Sequence, residues 1–264
     1  MELTKKSTII SFFGSRAKVG KTSVSLNVAA DLARKNHRVI FGDSFDSDKD
    51  FSFLYPPDYK PEQNGDFNFQ PTKIEGMRLL TYSKDAPKMS PEKIEGLVND
   101  IPKTLTEAGD FFVFNVKDPF AFPDRYFLLK TDIHVMVTRV ETTSFPDIFQ
   151  QFEKMVFLPV KPQRLCLIFN YTKDIEKAFD AYLNIMKQAM ELKINIKLHF
   201  LGIMPGDILR MNISNQLKIP ARYIFEESSF KGAVSFIGDK IIKLASVINK
   251  EDELAARGEL VVSG

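Results

Sequence analysis

Thr8-Ile9-Ile10-Ser11-Phe12-Phe13-Gly14-Ser15-Arg16-Ala17-Lys18-Val19-Gly20-Lys21-Thr22-Ser23 joins a short apolar run to a loop and then to the start of a helical pattern. The run Thr8–Phe13 is nearly all apolar rather than alternating, which predicts a strand buried on both faces. Apolar residues recur at helical spacing from Lys21 to Lys35. A strand, a loop closing on Gly-Lys-Thr and a helix form the context in which backbone N–H groups and a helix N-terminus hold phosphates. Gly20 lets the backbone approach an anion closely. Lys21 brings a positive point charge to the β/γ oxygens, and the Thr22 hydroxyl is placed for Mg²⁺. The candidate ATP-phosphate residues are therefore Ser15, Arg16, Ala17, Lys18, Val19, Gly20, Lys21, Thr22 and Ser23. Ser15 stands where the G-x-x-x-x-G-K-[ST] pattern has its first glycine.

Outward from this stretch, β-rich runs alternate with helical patterns. Strands are expected at Arg38–Phe41, Met77–Tyr82, Phe111–Phe114, Ile133–Val137, Arg164–Phe169 and Lys197–Ile203. Helices are expected at Lys21–Lys35, Ser144–Phe157, Ile175–Lys193 and Ser229–Asn249. This alternation predicts an α/β fold: a doubly wound, mainly parallel sheet of about seven strands with helices on both faces. No repeat or linker divides it, so residues 1–249 read as a single domain and 250–264 as a frayed tail. Phe51–Gln70, rich in aromatics, Pro and turn residues, reads as a surface excursion.

Composition narrows the function. In 264 residues, 36 Lys and Arg against 34 Asp and Glu give a net charge of +2, and no global charge favours nucleic acid or an anionic membrane. The lone Cys166 lies in an apolar run and reads as a core thiol, which excludes a disulfide framework or a multi-cysteine metal site within one chain. His37, His134 and His199 are far apart in sequence and do not suggest a metal site. The first strand is too short for a signal-peptide core and no run approaches the ~20 apolar residues of a membrane span, so a cytoplasmic protein is expected.

Gly20-Lys21-Thr22-Ser23, Asn27-Val28-Ala29, Leu32-Ala33 and Arg38-Val39-Ile40-Phe41-Gly42-Asp43 resemble the opening of the MinD/ParA ATPases. The resemblance continues in Asp110–Asn115, similar to the family's Walker B strand, and in Asp132–Val137. Leu167–Asn170 is similar to the strand whose asparagine contacts the base, and Gly202–Asp207 with Ile219-Pro220 to the last-strand loop and the segment after it. It covers roughly residues 7 to 248. It implies ATP and Mg²⁺ as cofactors, Thr22 and Asp43 at the metal, and Asn170 and Pro205 at the nucleotide. It also implies an ATP-dependent homodimer in which Arg16, at the position of the signature lysine, reaches the partner's nucleotide. Lys21, Arg16 and Asp43 are the catalytic candidates.

Three departures bear on turnover. Ala17 and Lys18 replace glycines, Phe45 stands where the family has a water-positioning aspartate, and Asn115 replaces the Walker B aspartate. An amide brings no charge to balance Mg²⁺. Asp46 or Asp48, and Asp118, are the nearest alternative carboxylates. The resemblance thus implies an ATP-binding spatial organiser or assembly regulator with weak or partner-dependent hydrolysis, akin to the TadZ/CpaE localisation proteins. The alternative is a pseudo-ATPase scaffold working through protein partners on the aromatic-rich segments Phe51–Gln70 and Pro119–Pro123. Nucleic acid is not expected as a partner, and a membrane only indirectly. A metabolic enzyme of the same fold is a third class, with no substrate site identified; its iron–sulfur branch is disfavoured by the single cysteine.

Overall fold

The computed structural model describes residues 7–44, 51–60, 67–82, 89–96, 99, 110–122, 124–141, 145–156, 158, 164–206 and 229–256. The first strand, β1 (Thr8–Gly14), is buried up to its last residue. It lies between two parallel neighbours, β5 (Phe111–Asn115) and β6 (Ile133–Thr138). With β2 (Val39–Asp43), β3 (Phe67–Pro71), β4 (Met77–Tyr82), β7 (Arg164–Asn170) and β8 (Lys197–Met204), they make a sheet of order β3-β4-β2-β5-β1-β6-β7-β8. All pairs are parallel except β3 with β4.

Alternate strand residues divide the core in two. Ile10, Phe12, Val113 and Val135 face the layer formed by α1 (Lys21–Arg34) and α5 (Ser229–Ala256). Ile9, Phe13, Phe112 and Phe114 face α2 (Asp124–Leu129), α3 (Phe145–Val156) and α4 (Ile175–Glu191). Burial on both faces is what selects continuously apolar strands.

The α1 helix is enclosed: every residue from Val24 to Ala33 is buried. The buried Asp31 carboxylate lies 3.1 Å from Lys35 Nζ, which also bonds Asp239 of α5 and donates to the Ser235 carbonyl at 2.7 Å. A Cβ at Gly238 would run into the Asp31 carboxylate, so this crossing requires glycine.

The sheet has eight strands among the described residues, not seven, because the expected excursion contains β3. Its Phe67-Asn68-Phe69-Gln70 alternates with period two, pairing Phe67 with Tyr82 and Phe69 with Leu80. Pro71 is tolerated because it ends an edge strand. Upstream, Phe51, Phe53 and Tyr55 pack on the α1 side of the core around the buried Leu54. These rings are partly buried in this packing, and residues 61–66 lie outside the described ones. α2 was not expected from the sequence. α5 runs past its expected end at Asn249 to Ala256, where Arg164 at the start of β7 bonds the Glu251 carboxylate. Among the described residues no helix is long and apolar enough to cross a membrane.

Candidate functional site

The loop after β1 is shaped by contacts on both sides. Ser15 is buried; its N–H donates to the Val137 carbonyl at 3.0 Å and its hydroxyl to Thr138 Oγ1 at 3.0 Å. A side chain is thus accommodated where the pattern has glycine, because β6 supplies its hydroxyl with a partner. The tight approach falls one residue earlier. A Cβ at Gly14 would meet the Arg16 carbonyl oxygen at 2.7 Å and Val19 Cγ2 at 2.8 Å. Lys18 adopts the left-handed conformation, φ 59°, and Gly20 follows at φ 81°. For a residue with a Cβ that conformation costs about 1–2 kcal/mol. The geometry the missing glycines would have eased is therefore reached with strain at Lys18.

At the far end, Gly20 caps α1 without any side-chain hydrogen bond, and the first turn of α1 carries no acidic residue. The helix N-terminus with its partial positive charge opens into a cavity of about 540 Å³. All nine expected residues from Ser15 to Ser23 line it. Lys117, Asp118, Pro119, Gln151 and Lys154 complete the wall. Among the described residues that line the cavity, Arg16, Lys18, Lys21, Lys117 and Lys154 are cationic and Asp118 is acidic. The Asp118 carboxylate also accepts from the Phe120 N–H at 3.1 Å. Lys21 Nζ donates to the Val116 carbonyl at the end of β5. Arg16 leans toward Asp147 on α3 at 3.9 Å, with both side chains about a third exposed at 37%.

Lys117 and Asp118 owe their place to Asp124, which the sequence did not single out. Its buried Oδ2 accepts from the Lys117 N–H at 2.8 Å, the Asp118 N–H at 3.1 Å and the Ser44 hydroxyl. One carboxylate at the start of α2 thereby fixes the loops leaving β2 and β5. Tyr82 nearby is partly buried with its hydroxyl enclosed; burial, then the charges of Asp124 and Asp43, raise its pKa well above the ordinary phenol range.

Asn170 at the end of β7 is brought to the loop. Its Nδ2 donates to the Val19 carbonyl at 2.8 Å, and its Oδ1 accepts from the Tyr171 N–H at 2.9 Å, steadying Tyr171 at φ 61°. The amide expected to read a base is bonded at both ends within the chain. Pro205 is buried and precedes Gly206, where a Cβ would press on Tyr171 Cα at 3.1 Å. Arg139, also unanticipated, stacks 4.6 Å from the centre of the Tyr171 ring and donates to the Lys18 carbonyl at 3.2 Å.

Thr22 and Asp43, the expected metal pair, meet at Asn115. Its Nδ2 donates to Thr22 Oγ1 at 3.1 Å and also to Asp43 Oδ1, while its Oδ1 accepts from Ser25 Oγ at 3.4 Å. The amide orientation follows from chemistry, since an ionised carboxylate accepts only. A hard dication needs oxygen ligands and balancing charge at this point. The group between the two oxygens is instead an N–H donor, and the set does not fit Mg²⁺. Phe45, Asp46, Asp48, Asp207, Ile219 and Pro220 lie outside the described residues.

Elsewhere Cys166 is enclosed, and burial pushes its thiol up to about 12, which makes it a core residue. Among the described residues no group of His, Cys, Asp and Glu is arranged to hold a metal.

No protein-family model and no curated protein matches the chain. Solved structures do match in shape. A ParA family ATPase from Chlorobium tepidum superposes with a TM-score of 0.70 at 12% identity, over 89% of this chain and 98% of that one. The septum site-determining protein MinD from Pyrococcus horikoshii, complexed with Mg-ADP, gives 0.65 at 18% identity over 92% and 98%. The pNOB8 ParA, bound to nonspecific DNA, gives 0.62 at 11% identity over 91% and 99%. The expectation against nucleic acid therefore finds no support in shape, since one protein of this fold binds DNA. The chain has the mostly parallel α/β fold of the ParA and MinD ATPases.

Proposed function

We propose that the chain binds ATP in the cavity between the Ser15–Ser23 loop and Lys117, and acts as a nucleotide-dependent spatial organiser or assembly regulator with slow turnover. One observation carries the reading. A helix N-terminus without side-chain cap or first-turn acid opens into a strongly cationic cavity bounded by a glycine-ended loop. Helix termini of this kind hold phosphate. The neighbours in shape include a MinD complexed with Mg-ADP, which supports a nucleotide as the anion. Slow turnover follows from Asn115, an amide that neither activates water nor neutralises charge as a carboxylate does.

Binding of a fluorescent ATP analogue and phosphate release, for the natural chain and for Lys21→Ala, test the proposal. Saturable binding weakened at least about tenfold by the substitution is expected, the loss of one charge-assisted contact. Binding that is absent, or indifferent to Lys21, refutes it.

The same reading makes the nucleotide a dimer signal. The Arg16–Asp147 pair is about a third exposed and worth under ~1 kcal/mol, so Arg16 is cheaply released toward a second protomer. Light scattering with a non-hydrolysable ATP analogue should show dimer for the natural chain and monomer for Arg16→Ala. A pseudo-ATPase scaffold is the second reading, favoured by the same Asn115, and binding with no measurable release distinguishes it.

A further inference from the structure

We propose that the cavity holds the nucleotide's polyphosphate without a divalent cation, its charge being met by protein cations alone; the inference rests on the nucleotide reading above. The first support is the group that stands between Thr22 and Asp43. Asn115 is fully buried on β5, and its Nδ2 reaches Thr22 Oγ1 at 3.1 Å and Asp43 Oδ1 together. The two N–H bonds of one amide satisfy the oxygens that a metal would otherwise bridge. Ser25 Oγ holds the other end of the amide at 3.4 Å. Turning Oδ1 inward would set it against the Asp43 carboxylate, so the donor orientation is the favourable one.

The second support is independent and lies in the cavity wall. Beyond Lys21, the wall carries Arg16, Lys18, Lys117 and Lys154, with Asp118 the acidic residue among the described lining residues and Asp147 beside Arg16 at 3.9 Å. A triphosphate bound without a metal keeps its full negative charge. A cavity with this surplus of ammonium and guanidinium groups compensates that charge in a low-dielectric cleft. Lys117 is the residue next but one to Asn115 on the chain, and Asp124 pins its backbone N–H at 2.8 Å. The place of a Walker B carboxylate with its metal is thus taken by an amide that closes the gap, with a lysine beside it.

The experiment measures the affinity of the full chain for a fluorescent ATP analogue in Mg²⁺ and in EDTA. For the natural chain the two dissociation constants should agree within about threefold, less than the value of one charge-assisted bond. Tightening by about tenfold or more in Mg²⁺ overturns the proposal while leaving nucleotide binding intact. Failure to bind in either buffer overturns the nucleotide reading and this inference together. Lys117→Ala should weaken binding in EDTA by about three- to tenfold, and an unchanged affinity there counts against cation compensation. Mn²⁺ alone gives a readout without nucleotide. Water-proton relaxation should report no Mn²⁺ bound to the natural chain in the low-micromolar range, and tight binding there would overturn the proposal. Asn115→Asp restores a carboxylate and should create Mn²⁺ binding, its fold checked by circular dichroism. The comparison of the natural chain in the two buffers stands even if that variant does not fold.

Discussion

Gly20→Ala probes how the loop is seated, because two separable effects meet at that residue. Gly20 has φ 81°, so any Cβ costs about 1–2 kcal/mol from conformation alone. The added Cβ also collides with Asn170 Nδ2 and lies 3.0 Å from Tyr171 Oη. Asn170 is 4% exposed and cannot yield without breaking its bonds to Val19 and Tyr171. Each buried group left unsatisfied costs about 1–3 kcal/mol. Gly20→Ala should therefore destabilise the fold by about 2–5 kcal/mol, and Asn170→Ala alone by about 2–3 kcal/mol. The double variant loses the Asn170 bonds only once and has no amide to collide with. It should fall short of the additive sum by about 1–3 kcal/mol. Urea unfolding followed by circular dichroism supplies the four stabilities, provided the m-values agree. Additivity within about 0.5 kcal/mol would refute the argument that Asn170 seats the loop.

Lys18→Gly should stabilise the chain by about 1 kcal/mol, since it relieves the left-handed strain at φ 59°; calorimetry should show a raised Tm. Asp124→Asn weakens three bonds to the loops after β2 and β5 and should cost about 1–3 kcal/mol, read by urea unfolding together with weaker binding of the ATP analogue. His134 is held neutral by burial, with its pKa lowered to about 4. The unfolded imidazole titrates near 6.5, so this contribution is whole above that pH and is lost as pH falls from about 6.5 to about 4. His134→Gln should flatten stability across that window, and an unaltered pH profile would remove His134 as its cause.

The central fold was legible because burial on both faces leaves an unmistakable mark. Thr8–Phe13 is apolar but for Thr8 and Ser11, Leu165–Phe169 is apolar throughout, and the structure buries both. β3 was hidden because its four alternating residues sit between turn formers, where local composition outweighs a short period. The cradle could be read as a contiguous motif, whereas its supports could not. Asp124, Arg139, Lys117 and Lys154 act from loops and helices whose proximity only the sheet order decides. Asn115 was visible as a departure, but its grip on both Thr22 and Asp43 was not, since nothing in the sequence tells which way an amide turns.

The sheet order carries a consequence for how the chain comes to be active. The cradle is held by partners distant along the chain: Lys21 by Val116, Ser15 by Thr138, Val19 by Asn170. During synthesis the Gly-Lys-Thr loop emerges early, yet its last clamp arrives with β7. The loop cannot be fully clamped until β7 has formed, and such long-range closure makes folding slow.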